Sequence, residues 1–208
     1  GRVPLDIKLI QLVKLFKNGE PVKMSKRAGT FVTLRDVVEQ AGADVTRFHM
    51  LTRKNDAALD FDFARVLEQS KDNPVWYVQY ASARVNSVLK KAAEMGVDTS
   101  DAALAKADLS LISHPAELEL ARKVAEWPRT VEIAARANEP HRIAFFLYDL
   151  ASDLHSLWNR GNDETTLRFV QEGNPTATSA KIALARAVGV VISAGLGILG
   201  VTPAKEMR

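Results

Sequence analysis

The sequence predicts a mainly α chain, a helical bundle preceded by a small α/β segment built on a β-hairpin. Three observations carry this. Apolar residues recur at helical spacing through most of residues 73–199. The helix starts in that region are marked by Asn73-Pro74, His114-Pro115 and Pro140. Alternation of period two around an Asn-Gly pair lies before them, at residues 9–24.

In the hairpin, Leu9, Gln11, Val13 and Leu15 alternate with Ile10, Leu12, Lys14 and Phe16, and Glu20 to Met24 return after Asn18-Gly19. A hairpin this short needs further strands; none is expected after it, so they are expected upstream. Thr33 with Asp36 forms a capping box for a helix closed by Gly42, and a second helix runs from about Asp44 with Val45, Phe48 and Leu51 on one side. Leu59 to Phe63 alternates as a strand would, but is read as an extended connector entering a helix at Asp62.

Asn73 caps and Pro74 opens a long helix in which Val78, Ala81, Val85, Val88 and Ala92 hold one face until Gly96. Residues 97–113 read as a polar, weakly periodic connection. A helix from His114-Pro115 to Trp127 is broken by Pro128 and resumes over 129–137. The next runs from Pro140 to near Gly161, with Ile143, Phe146, Leu147, Leu150, Leu154 and Leu157 inward, and the last over 177–199 with Leu184, Val188, Val191, Ile192 and Leu196 inward. Two units follow, 1–72 and 73–208.

Of the 208 residues 47% are hydrophobic, enough for a sizeable core. Cysteine is absent, which excludes a disulfide framework, a thiolate nucleophile and a Cys-based zinc site, and fits the cytoplasm. The apolar run 187–199 is too short to span a bilayer and contains Ala187, Gly189, Ala194 and Gly195, so no membrane partner is expected. The N-terminus lacks a signal-peptide layout, and a start at Gly1 without Met points to a fragment. Net charge is +3, unevenly placed: residues 1–56 carry 11 Lys/Arg against 6 Asp/Glu, the remainder 17 against 19. The first segment suits a polyanion; the remainder would have to bind nucleic acid by local stacking and shape.

The one evident piece of chemistry is Lys23-Met24-Ser25-Lys26 after the hairpin. Two ammonium groups so spaced can meet one polyphosphate and stabilise charge developing on a leaving group; the alternative is a solvated basic turn. Tyr77, Tyr80 and Arg84, at i, i+3 and i+7, share a helix face that can stack splayed bases and pair with phosphate. The competing reading makes the tyrosines half-buried packing residues with Arg84 snorkelling past them. His49, His114, His141 and His155 show no metal-ligand spacing and read as surface, cap or helix-face residues; no metal site is expected.

Lys23-Met24-Ser25-Lys26 resembles the second signature of class I aminoacyl-tRNA synthetases. Arg47-Phe48, Asp60-Phe61-Asp62 and the run Asn73-Pro74-Val75-Trp76-Tyr77-Val78-Gln79-Tyr80-Ala81-Ser82-Ala83-Arg84 are similar to arginyl-tRNA synthetases where the catalytic domain passes into the anticodon-binding domain. Leu199 to Pro203 and the closing Met207-Arg208 resemble that family's end. The resemblance implies that residues 1–72 are the end of a class I catalytic domain and 73–208 a helical anticodon-binding domain. It implies a parent enzyme that activates arginine with ATP and Mg2+ and transfers it to tRNA(Arg). Carried over, Lys23 and Lys26 act on the pyrophosphate end of ATP, with Met24 and Ser25 in the same ATP-binding loop, although Arg27 stands where the class pattern often has Ser. Tyr77, Tyr80 and Arg84 approach the anticodon loop. Trp158 stands at the aromatic end of the family's Phe-Asn-x-x-Tyr, here Leu154-His155-Ser156-Leu157-Trp158, and either packs in the core or stacks on a base. Met207 matches a terminal Met near the anticodon loop, or lies in a disordered tail. The fragment is expected to bind tRNA weakly and as a monomer; because the family's His-x-Gly-His element does not occur in this sequence, it is also expected to hold no ATP or Mg2+ and to lack activity alone. Rival readings are another class Ia synthetase, such as the cysteine enzyme, or a helical protein-interaction module without RNA contact.

Overall fold

A computed structural model of the chain describes residues 5, 7–25, 27 and 31–207. Strand β1 (Val13–Lys17) turns back through Asn18 and Gly19, with φ of 54° and 81°, into β2 (Glu20–Pro21). Both turn residues thus take the left-handed region that a two-residue hairpin of this hand requires. The strands pair antiparallel with Phe16 opposite Pro21 and Lys17 opposite Glu20.

Here the fold corrects the sequence reading twice. The hairpin does have a later partner, and residues 59–63 are no mere connector: β3 (Leu59–Asp62) pairs parallel with β1 in the sheet order β2-β1-β3. The two errors have one cause. An extended segment becomes a strand only when an edge is available, and that edge lies more than 40 residues earlier in the chain. Asp62 then locks the hairpin from β3, its carboxylate accepting the amides of Asn18 (3.2 Å), Gly19 (2.6 Å) and Ala64 (2.9 Å).

Helix α1 (Leu34–Ala41) starts on the capping box in which Thr33 Oγ1 accepts from Asp36 N at 3.1 Å and Asp36 returns a bond to Thr33 N at 2.7 Å. Gly42, at φ 84°, separates it from α2 (Ala43–Met50). Val37, Ala41, Phe61, Phe63 and Val66 form a small core under the sheet, whereas Phe48 of α2 turns into the larger core of the bundle.

The bundle consists of α3 (Pro74–Glu94), α4 (Asp101–Leu104), α5 (Pro115–Ala125), α6 (Trp127–Ala137), α7 (His141–Asp163) and α8 (Pro175–Ile198). Buried Asn73 joins the two parts: its amide donates to the carbonyls of Val66 (2.9 Å) and Glu68 (2.7 Å), and its oxygen lies 3.2 Å from His49 Nε2. Residues 97–113 hold more structure than a polar connection. Ser100 caps α4, Asp108 caps a 3₁₀ turn at Leu109–Leu111, and Leu104 and Ile112 are buried. The break between α5 and α6 falls at Glu126, before Trp127, because Pro128 sits in the first turn of α6; it has no N–H to give to the carbonyl four residues back, at Val124, and its ring crowds that carbonyl, so the two helices cannot run on as one.

Helix α8 lies in the core. It is 24 residues long and contains an 18-residue window of mean hydropathy 1.7, so by length and composition it would suffice to cross a bilayer, contrary to the reading of the run 187–199; 56% of that window is buried inside the fold. Its small residues are there for close approach. A Cβ on Gly189 would meet Val85 Cγ1 at 2.8 Å, and one on Gly195 would meet Leu147 Cδ2 at 2.6 Å.

Candidate RNA-binding face

The face foreseen on α3 is met by a matching one on α7. On α3 the residues are Trp76, Tyr77, Tyr80 and Arg84; on α7 they are Tyr148, His155 and Trp158, again spaced by three and seven. Both helices bury their apolar stripes in the common core, which brings these flanks together as one aromatic seam.

His155 is its centre. Its ring lies 4.5 Å from the Tyr77 centroid and 5.2 Å from that of Tyr80, stacked at 28° on the latter, while Trp76 stacks on Tyr80 at 5.0 Å. Tyr77 also meets Tyr148 at 5.2 Å. His155 Nε2 lies 3.3 Å from the Tyr77 carbonyl and Nδ1 lies 2.9 Å from Arg84 Nη1. A carbonyl requires a donor and a guanidinium requires an acceptor, so the ring is neutral with its proton on Nε2. Arg84 in turn donates to Tyr80 Oη at 3.1 Å and sits over the rings of Tyr80 (4.4 Å) and Trp158 (5.0 Å).

The structure thus brings Tyr77, Tyr80, Arg84 and Trp158 into one cluster. All are half-buried, and Tyr80 already stacks on Trp76 and His155, so the cluster offers ring edges, a phenol and a guanidinium more than open ring faces. Two of the four histidines correct the sequence reading: His155 is 4% exposed and His141 3%, so both are buried. His114 is a cap, its Nδ1 accepting from Ala116 N at 3.2 Å. The signal for His155 was available in its position beside Leu154 and Leu157 on the buried stripe, and in its spacing from Tyr148 and Trp158.

Burial, aided by the charge of Arg84, pushes the His155 imidazolium down to about 4, against the opposing bond to Tyr77. The folded state therefore prefers neutral His155, and the unfolded chain takes up its proton first. This stability is complete above about pH 6.5 and is lost as pH falls toward 4, at most about 3 kcal/mol in all and less where solvent screens the ring. His155→Gln keeps a donor and an acceptor without titrating. Urea unfolding of the variant between pH 7 and 4.5 should show a visibly shallower loss than the wild type; parallel curves would refute the assignment.

Met207 does not join the seam. The segment 202–204 runs back along α3, with Gln79 Nε2 donating to Thr202 O (2.7 Å) and Ser82 Oγ to Ala204 O (2.9 Å), while Thr202 N donates to Asp44 (3.1 Å). At 100° per residue, Gln79 and Ser82 lie across the helix from Tyr77 and Arg84. Half-buried Met207 follows three residues after Ala204. The basic loop is separate again: Lys23, Met24 and Ser25 are exposed just beyond β2, and Lys26 lies outside the described residues. Among the described residues no group of three or more His, Asp or Glu side chains is placed to hold a metal ion.

The family model of the DALR anticodon binding domain matches residues 78–207, which hold most of the seam. The chain belongs to the DALR anticodon-binding domain family. Over all 208 residues it is 90% identical to an arginine–tRNA ligase of Paracoccus denitrificans and 77% identical to one of Cereibacter sphaeroides, spanning 36% of the length of each. A solved arginyl-tRNA synthetase chain from Campylobacter jejuni superposes with TM-score 0.81 at 29% identity, over 96% of this chain and 40% of that one. One from Thermus thermophilus shares the fold, with TM-score 0.65 at 20% identity over 93% of this chain and 34% of that one. In this DALR domain the seam between α3 and α7 is the candidate RNA-binding face.

Proposed function

We propose that the chain forms the anticodon-binding part, with the adjoining end of the catalytic domain, of an arginine–tRNA ligase, divided at about residue 72. The seam of Tyr77, Tyr80, Arg84 and Trp158 around His155, most of it inside the matched domain, carries the reading. It meets the anticodon loop of tRNA(Arg): a guanidinium positioned by two hydrogen bonds presents its charge to phosphate or a base edge, and half-buried aromatic edges flank unstacked bases. Met207 contributes from the docked tail on the other flank of α3.

In the parent enzyme, which works in the cytoplasm, Lys23 and Lys26 meet the polyphosphate of ATP as arginine is activated. The exposed position of Lys23 suits that role, since a phosphate can reach it from solvent. Mg2+ assists there by neutralising phosphate charge. This 208-residue piece binds tRNA as a monomer and does not activate arginine by itself.

Equilibrium binding of the chain to tRNA(Arg) and to a non-cognate tRNA tests the reading. A loop-phosphate contact by Arg84 gives a slope of about −0.7 in log affinity against log salt, a roughly threefold loss between 50 and 200 mM. Equal affinity for the two tRNAs, or no salt dependence, would sink it and favour a protein-interaction module.

A further inference from the structure

One helical register beyond Arg84, a cleft of about 270 Å³ opens between the later turns of α3, the end of α7 and the segment that follows α7. Its floor is apolar, with Val88 and Phe169 buried. One wall is Trp158, whose ring lies 5.8 Å from that of Phe169 at 39°. The rim is polar and exposed: Lys91, Asn162 and Arg168. Arg168 is held in place by its Nε, which donates to the Gly161 carbonyl at 2.9 Å. Among the described residues no acidic side chain lines the cleft.

This combination selects a ligand. The volume lies just below the roughly 300–1,000 Å³ that drug-sized molecules occupy, and suits a single planar ring system. An aromatic wall over an apolar floor suits a flat heterocycle, an amide suits its donor and acceptor edge, and two cations without an acid suit an attached phosphate. The cleft is also continuous with the seam. Trp158 is shared, carrying Arg84 5.0 Å from its ring centre while lining the cleft. Lys91 follows Arg84 by seven residues on the same face of α3, about 10 Å further along.

We propose that this cleft is a nucleotide subsite for one unstacked base of the anticodon loop. The base lies against Trp158 with its edge toward Asn162, and its phosphate lies between Lys91 and Arg168. The proposal rests on the tRNA-binding reading above and extends it to Lys91, Asn162 and Arg168, which the sequence motifs did not mark.

The test uses the 208-residue chain and an RNA hairpin carrying the anticodon stem and loop of tRNA(Arg), with Arg84→Ala as the reference variant. Lys91→Gln should weaken binding three- to tenfold and reduce the salt slope by about 0.7. Asn162→Ala should weaken it about fivefold, and that loss should vanish when one particular loop base is replaced by an abasic site. Both side chains are exposed, so the thermal midpoint should not move. If Arg84→Ala impairs binding while Lys91→Gln and Asn162→Ala leave affinity, slope and base preference unchanged, the subsite is overturned and the tRNA reading stands. If the wild-type chain ignores the hairpin altogether, both fall.

Discussion

Replacing Lys181 by Met alone should destabilise the bundle by about 3–5 kcal/mol. Lys181 of α8 and Glu117 of α5 are 7% and 3% exposed and face each other as a hydrogen-bonded ion pair inside the fold. Glu117 also accepts the His114 amide at 3.3 Å, so the same carboxylate completes the start of α5 and ties it to α8. Lys181→Met leaves that carboxylate buried with one amide for a partner. The double variant Lys181→Met with Glu117→Leu removes both charges and should recover most of the loss, short of about 1 kcal/mol for the forfeited cap. Urea titration checks both, provided the slope of unfolding free energy against urea is unchanged. A single-variant cost below about 1 kcal/mol, the range of an exposed pair, would show that water reaches the site.

Arg84→Ala should weaken binding to tRNA(Arg) by roughly 30- to 150-fold, the equivalent of about 2–3 kcal/mol. Arg84 is the side chain that the seam holds in place, by His155 Nδ1 at 2.9 Å, by Tyr80 Oη at 3.1 Å and by the Tyr80 and Trp158 rings. Its charge is therefore presented with little conformational freedom left to lose on binding. Arg84→Lys should recover only a small part, since an ammonium cannot satisfy His155, Tyr80 and a phosphate in one planar fork. Binding isotherms at fixed salt measure this, with circular dichroism confirming that the helices persist. A twofold or smaller change in Arg84→Ala would mean that the seam is a packing device and RNA binds elsewhere.

These two sites differ in how far the sequence announced them. Tyr77, Tyr80 and Arg84 were legible as one face because their spacing follows from helix geometry alone. Lys181 was not distinguishable from any surface lysine, since its partner lies 64 residues away and burial is a property of the assembled helices. His155 falls between the two: its place on the buried stripe of α7 was readable, but its contact with Arg84 needed the packing of α7 on α3.

The sequence by itself determined the local features whose causes lie within a few residues. These are the Asn18-Gly19 turn with both residues at positive φ, the Thr33–Asp36 capping box, the Asn73-Pro74 helix start and the inward stripes of α3, α7 and α8. Tertiary structure alone decided whether Leu59–Asp62 would be a strand, because its hydrogen-bond partners are in β1. It alone decided that the small residues of α8 serve close approach to Val85 and Leu147. It also decided that the aromatic face of α3 would meet its counterpart on α7 around a neutral histidine. In each case the deciding partner is distant in the chain, and a pattern of period two or 3.6 carries no record of which distant surface will pack against it.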